Sequence, residues 1–154
     1  MSEKLVASNR RAGYEYHLDQ RFEAGLALLG TEVKSLRAGK GNLQDAWCDF
    51  DAEGLVLKGL HIPPYEMGGY VNHEPTRPRR LLLKGDELAK LRKGVEAKGY
   101  TIVPTKVYFK NGWAKVEIAL ARGKQLHDKR DTIAERDSKR DLDRAKKGRA
   151  RDDD

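Results

Sequence analysis

The sequence predicts a mostly β body, an OB-like antiparallel β-barrel with two or three short helices, followed by a C-terminal tail disordered in isolation. Three observations predict it. Short apolar runs of strand length are separated by turn residues, with few helical stretches between them. Asn111-Gly112 sits between two longer runs and is the preferred pair for a two-residue type I′ hairpin. The last 32 residues, 123–154, hold six apolar side chains and no Phe, Tyr or Trp. Such a segment cannot bury enough surface to offset the entropy of ordering. The expected division is therefore an OB-like barrel over 1–122 and a basic tail over 123–154.

Each element has its own signal. "SNRRAGYEY" permits a short helical turn capped by Ser8 or Asn9. "YEYHLDQRFEAGLALL" reads as extended. "GTEVKSLRAGKGN" is a short helix with Thr31 as N-cap, Val33 and Leu36 on one face and Gly39 as its stop. "AWCDFDAEGLVLKGLHI" holds two short strands around a polar turn containing Gly54. Residues 63–80 carry four prolines and two glycines and read as a loop. "GDELAKLRKGVEAKG" is the clearest helix, with Leu88, Leu91 and Val95 in a stripe, Asp86 and Glu87 in the first turn and Gly99 at its end.

The hairpin turn sets a register: 110 faces 113, 109 faces 114, 108 faces 115, 107 faces 116, 106 faces 117. Val107, Phe109, Ala114, Val116 and Ile118 then share a core face. Lys106, Tyr108, Lys110, Trp113, Lys115 and Glu117 share the other. Lysines alternating with aromatic rings suit a ribose-phosphate chain, neutralising phosphates and stacking on bases. The competing reading is that the long loop covers Tyr108 and Trp113 while the lysines solvate the rim.

Charge agrees with a polyanion partner. The net charge is +7. Residues 1–121 have 19 Lys+Arg against 15 Asp+Glu, and residues 122–154 have 12 against 9, so both parts are basic. "TRPRRLLLKG" brings Arg77, Arg79, Arg80 and Lys84 within eight positions, and guanidinium groups can grip phosphate in a bidentate manner. A charged surface loop is the alternative. In the tail, Glu135–Lys139 and Asp143–Lys147 are favourable i, i+4 pairs, too weak alone to hold a helix in water.

Enzyme chemistry has little support. Cys48 is the single cysteine, without a disulfide or zinc partner, and its place in a strand suits packing. His17, His61, His73 and His127 fall in no short catalytic or metal motif, and no P-loop, G-x-G-x-x-G, H-E-x-x-H or G-x-S-x-G occurs. No cofactor and no metal site is expected. No run approaches the ~20 apolar residues of a membrane span, and "LVA" is too short for a signal peptide. A cytoplasmic monomer without a membrane partner is the expectation.

"NRRAGYEY", "FEAGLALLGTEVKSLRAGKGNL", "EPTRPRRLLL", "NGWAKVEIALARGK" and "HDKRDTIAERD" occur here in this order. Together they resemble the small protein B family, the transfer-messenger-RNA-binding proteins of bacterial trans-translation. The resemblance runs from about Asn9 to about Asp137. It implies a non-catalytic adaptor that binds the tRNA-like part of transfer-messenger RNA and stands in the A site of a stalled 70S ribosome. The tail would fold in the empty mRNA channel beyond the decoding centre, and elongation factor Tu would act indirectly, through the charged RNA. Carried over by position, the family's RNA contacts fall on Glu23, Leu82 and Lys115. Its tail motif falls on Gly123, Lys124, Asp128, Lys129 and Arg130, with His127 beside it. Gln125 departs from that motif's second lysine. Ser138 and Ala145 stand where relatives carry larger groups. From the residues alone, Glu23 also suits an ion pair with a neighbouring arginine, and Leu82 also suits the core. A permanently assembled structural ribosomal protein remains the alternative function.

Overall fold

The computed structural model describes residues 3–69, 71–97 and 100–123. Its elements run β1 (Glu3–Ser8), α1 (Arg10–Glu15), β2 (Tyr16–Leu26), α2 (Gly30–Arg37), β3 (Trp47–Asp51), β4 (Gly54–Lys58), a single 3-10 turn (Glu66–Gly68), β5 (Arg79–Leu82), α3 (Gly85–Glu96), β6 (Tyr100–Lys110) and β7 (Trp113–Gly123). The strands form one antiparallel sheet in the order β1-β6-β7-β2-β5-β4-β3. It curls so that edge strand β3 lies near β6. The OB-like description fits, although among the described residues no ladder closes the sheet.

The β6–β7 hairpin has the register its turn chemistry dictates, from Lys110 opposite Trp113 to Lys106 opposite Glu117. Asn111 and Gly112 both take positive φ, 51° and 82°, as a type I′ turn requires. Beyond Lys106 the ladder slips at a bulge next to Pro104, which has no N–H to donate. Val107, Val116 and Ile118 are fully buried and join Phe22, Leu36 and Leu57 in the main core. A second, smaller cluster of Ala12, Val103, Ala119 and Ala121 lies beneath α1. Helix α1 therefore covers the outer sheet face at one end of β7. At the other end of the strand, Trp113 is exposed.

Several expectations shift by a few residues. Thr31 lies inside α2, whose N-cap is Leu29; the Glu32 carboxylate accepts the Leu29 backbone N–H at 2.7 Å. The Thr31 hydroxyl instead meets His73 Nδ1 at 2.9 Å, and His73 Nε2 meets the Ile62 carbonyl at 2.7 Å. Gly39, at φ 80°, follows α2 as expected. In α3, Leu91 is buried and Val95 is exposed; the expected stop at Gly99 lies outside the described residues, and the helix ends at Glu96. Strands β1 and β5 were not expected. Arg79 and Arg80 belong to β5 rather than to the loop.

Candidate nucleic-acid interface

Three adjacent strands bring the site together. Gly25 of β2 lies opposite Leu82 of β5 on one side and Lys115 of β7 on the other. Lys115 in turn lies opposite Tyr108 of β6. Residues directly opposite in an antiparallel pair point to the same face. Leu82, Lys115 and Tyr108 therefore form one row on the outer face, with Glu23 two residues along β2 and Lys110 two along β6. Gly25 keeps the row tight: a Cβ there would come within 3.2 Å of Leu82 Cβ. Leu82 is 57% exposed, so it is not core; its neighbour Leu81 is.

Glu23 is the polar centre of the row. The Tyr108 hydroxyl donates to Glu23 Oε2, and Lys110 Nζ reaches the same oxygen at 3.4 Å. The hydrogen bond from Tyr108 and the charge of Lys110 outweigh desolvation and hold this carboxyl below its usual range. The phenol moves the other way, pushed up by its burial and by the carboxylate beside it. The arginine pairing considered for Glu23 is made elsewhere: Arg21 Nη1 meets Glu117 Oε2 at 3.1 Å.

The expectation that both aromatics face a ligand is corrected at Tyr108. Its ring is only 6% exposed, with Lys106 Nζ 5.3 Å from its centroid. It acts as a support under Glu23 rather than as a stacking platform. Trp113 is the opposite case, 73% exposed beside the turn. Two depressions flank the Leu82–Lys115 pair. One, about 520 Å³, is lined by Glu23, Gly25, Leu82, Lys84, Glu87 and Lys115. The other, about 510 Å³, runs between the hairpin tip and α2, past Val33, Arg37, Leu82 and Trp113.

The loop arginines do not form the phosphate clamp expected of them. Arg79 is 0% exposed. Its Nε pairs with Glu32 Oε2 at 2.5 Å, its Nη1 donates to the Leu60 carbonyl at 2.5 Å and its Nη2 to that of Pro75 at 3.0 Å. Arg77 Nη2 takes the other Glu32 oxygen at 2.5 Å. Burial disfavours the charged Glu32, but hydrogen bonds from Arg77, Leu29 and Arg79 more than offset it and keep the carboxyl below the usual range. Arg80 grips both oxygens of Asp51, at 2.8 and 2.7 Å. These guanidinium groups bind the protein's own carboxylates and tie β5 to α2 and to the β3–β4 turn.

Cys48 is buried in the main core, where desolvation pushes its thiol far above the usual range. Among the described residues no group of three His, Cys, Asp or Glu could hold a metal ion. Sequence reasoning missed Gly25 and Arg37. A glycine inside a strand was the available signal for Gly25. Arg37 had none, because its neighbours come from strands distant in sequence, Phe109 of β6 among them.

The model of the SmpB protein family matches residues 6–148. The chain belongs to the SmpB family. It is 54% identical to the SsrA-binding protein of Pelotomaculum thermopropionicum, covering 98% of this chain and 99% of that one. It is 53% identical to the SsrA-binding protein of Thermobifida fusca, covering 92% and 89%. A solved structure described as "tmRNA-SmpB: a journey to the center of the bacterial ribosome" matches with a TM-score of 0.64 at 50% identity, covering 77% of this chain and 84% of that one. The SmpB match includes Glu23, Leu82 and Lys115 of the described body and extends past the tail motif. Gly123 of that motif is the last residue of β7, opposite Tyr16. Lys124, His127, Asp128, Lys129 and Arg130 lie outside the described residues.

Proposed function

We propose that this chain is the RNA-binding adaptor of trans-translation, binding the tRNA-like part of transfer-messenger RNA and delivering it to the A site of stalled 70S ribosomes. The observation that carries the assignment of the contact surface is the row Leu82–Gly25–Lys115 with Glu23 beside it, on one face of three adjacent strands. A carboxylate held ionised accepts from ribose 2′-hydroxyl or base donors, Lys115 and Lys110 neutralise phosphate, and Leu82 packs against ribose or base. Lys106 and Trp113 extend that surface along the hairpin. Tyr108 contributes by fixing Glu23. Arg77, Arg79 and Arg80 contribute by holding β5, and hence Leu82, in place.

The body bounded by β7 binds RNA, and the residues after it engage the decoding centre and mRNA channel through Lys124, His127, Asp128, Lys129 and Arg130. The adaptor works in the cytoplasm, meets elongation factor Tu only through the charged RNA and catalyses no reaction itself. Among the described residues no helix is long and apolar enough to cross a membrane.

The test is affinity for transfer-messenger RNA against salt. Lys115→Ala should weaken binding and reduce the slope of log K against log[salt] by roughly 0.7–0.9, one phosphate contact. A chain ended after Gly123 should bind the free RNA with an unchanged slope yet support no peptide tagging on stalled ribosomes. An unaltered slope in Lys115→Ala would remove this row from the interface.

A further inference from the structure

We propose that the groove between the hairpin tip and α2 holds one unpaired nucleobase of the bound RNA, stacked by its face on Trp113. The inference rests on the RNA-binding reading above and adds to it a subsite and the kind of nucleotide it takes.

The backbone of Trp113 is anchored. It follows directly on the Asn111-Gly112 turn, and Lys110 pairs opposite it in the ladder. An indole has only two side-chain torsions to order on binding, so little entropy is lost. Yet the indole is 73% exposed, and Leu82, 57% exposed, stands across the same groove. Large apolar side chains left open around a groove of about 510 Å³ mark a binding surface rather than a packing defect.

The chemistry of the walls selects the occupant. The lining includes Gly25, Leu26, Val33 and Ala114, and among the described residues its charged side chains are Arg37 and Lys115. Among the described residues no carboxylate lines it, whereas the neighbouring depression has Glu23 and Glu87 among its walls. Arg37 stacks its guanidinium 5.9 Å from the Phe109 ring centroid. An apolar slot with cations and no acid fits a flat aromatic ring carrying an anionic phosphate. It suits an apolar peptide side chain less well, since Arg37 and Lys115 would be partly desolvated with no counter-charge. The groove continues the proposed interface, sharing Gly25, Leu82 and Lys115 with the depression around Glu23.

The same walls say how the base is read. Among the described residues no side-chain hydrogen-bond acceptor lines the groove, so the amino groups of a base are not read by side chains, and Arg37 and Lys115 are left to the phosphate. Recognition is then chiefly by stacking, which every base satisfies, and by availability, since a paired base presents no open face. The subsite selects a nucleotide first for being unpaired.

The test uses the full chain with transfer-messenger RNA as the probe. Trp113→Ala should weaken binding about five- to 150-fold, the range for losing one stacked base. Its salt slope should match the unaltered protein, because no phosphate contact is removed, and Trp113→Phe should recover most of the affinity. The chain has two tryptophans, so Trp47→Phe leaves Trp113 as the sole indole. Its emission should be quenched by RNA, and acrylamide should lose access to it. Equal affinity in Trp113→Ala, a shallower salt slope, or an indole still open to acrylamide in the complex would each overturn the proposal. So would protection that grows with protein concentration alone, since the occupant would then be a second copy. Failure of the unaltered chain to bind the RNA would instead bring down the parent reading, and this inference with it.

Discussion

Glu32→Ala is the substitution that most directly tests how the site is held. Glu32 is fully buried and receives Arg79 and Arg77, each at 2.5 Å, and the Leu29 N–H at 2.7 Å. Truncating it leaves the 0% exposed Arg79 with two carbonyl partners and no carboxylate in direct contact among those described. Breaking a buried pair from one side costs about 3–5 kcal/mol. The lost hydrogen bond to the α2 N-terminus adds roughly 0.5–1.5 kcal/mol, not strictly additively. Against a total of about 5–15 kcal/mol, that is roughly a quarter or more of the stability of an ordinary domain. With a urea m-value of about 1.5–2 kcal/mol/M, the midpoint should fall by roughly 2–4 M in far-ultraviolet circular dichroism. Glu32→Gln keeps the volume and one acceptor oxygen and should lose less. The salt slope for RNA binding should stay unchanged in both, because Glu32 and Arg79 are both buried. A loss below about 1 kcal/mol for the alanine variant, or a glutamine variant weaker than it, would refute the reasoning.

Two further outcomes follow from the same geometry. Glu32, Glu23 and Asp19 have folded-state pKa values below their ordinary ones, so the unfolded chain takes up protons first as pH falls. Their contribution is complete above the ordinary glutamate value of 4.5 and drains away as pH drops through the depressed values; urea midpoints measured from pH 7 to pH 3 should be flat and then decline, less steeply in Glu32→Gln. Gly94→Ala should destabilise although alanine is the better helix former: the new Cβ would overlap Leu120 Cδ2 and come within 3.1 Å of its Cγ. Overpacking of about 1–3 kcal/mol should exceed the ~1 kcal/mol gained in helix propensity, and thermal melts would read the difference.

The hairpin was legible because its information is local. Asn111-Gly112 sets the turn, the turn sets the register, and the register sorts core from surface. Strands β1 and β5 were hidden for the converse reason. "EKLVAS" and "RRLL" are short and carry no alternation of their own; only pairing with β6, and with β2 and β4, makes them strands. Arg79 was misread because its partner, Glu32, is 47 residues away, and a proline-flanked arginine looks like surface when that carboxylate is unseen. Tyr108 was assigned to the right face, but its burial depends on Glu23, 85 residues distant. The Glu23, Leu82 and Lys115 positions came from family resemblance. The strand register explains why three positions so far apart in sequence can act together.

Pro104 sits where a central strand ordinarily would not tolerate proline, at the bulge where the β1 ladder ends with Ser8 opposite Lys106. From there on, Asn9 takes over: its N–H donates to the Thr105 carbonyl at 2.7 Å, its Nδ2 to that of Pro104 at 3.3 Å, and α1 then lies against the strand. A bare strand margin is a template on which another chain can crystallise its own backbone. By ending one ribbon with a ring that offers no proton and clamping the next carbonyls with an asparagine, the fold shuts that template without needing a longer first strand.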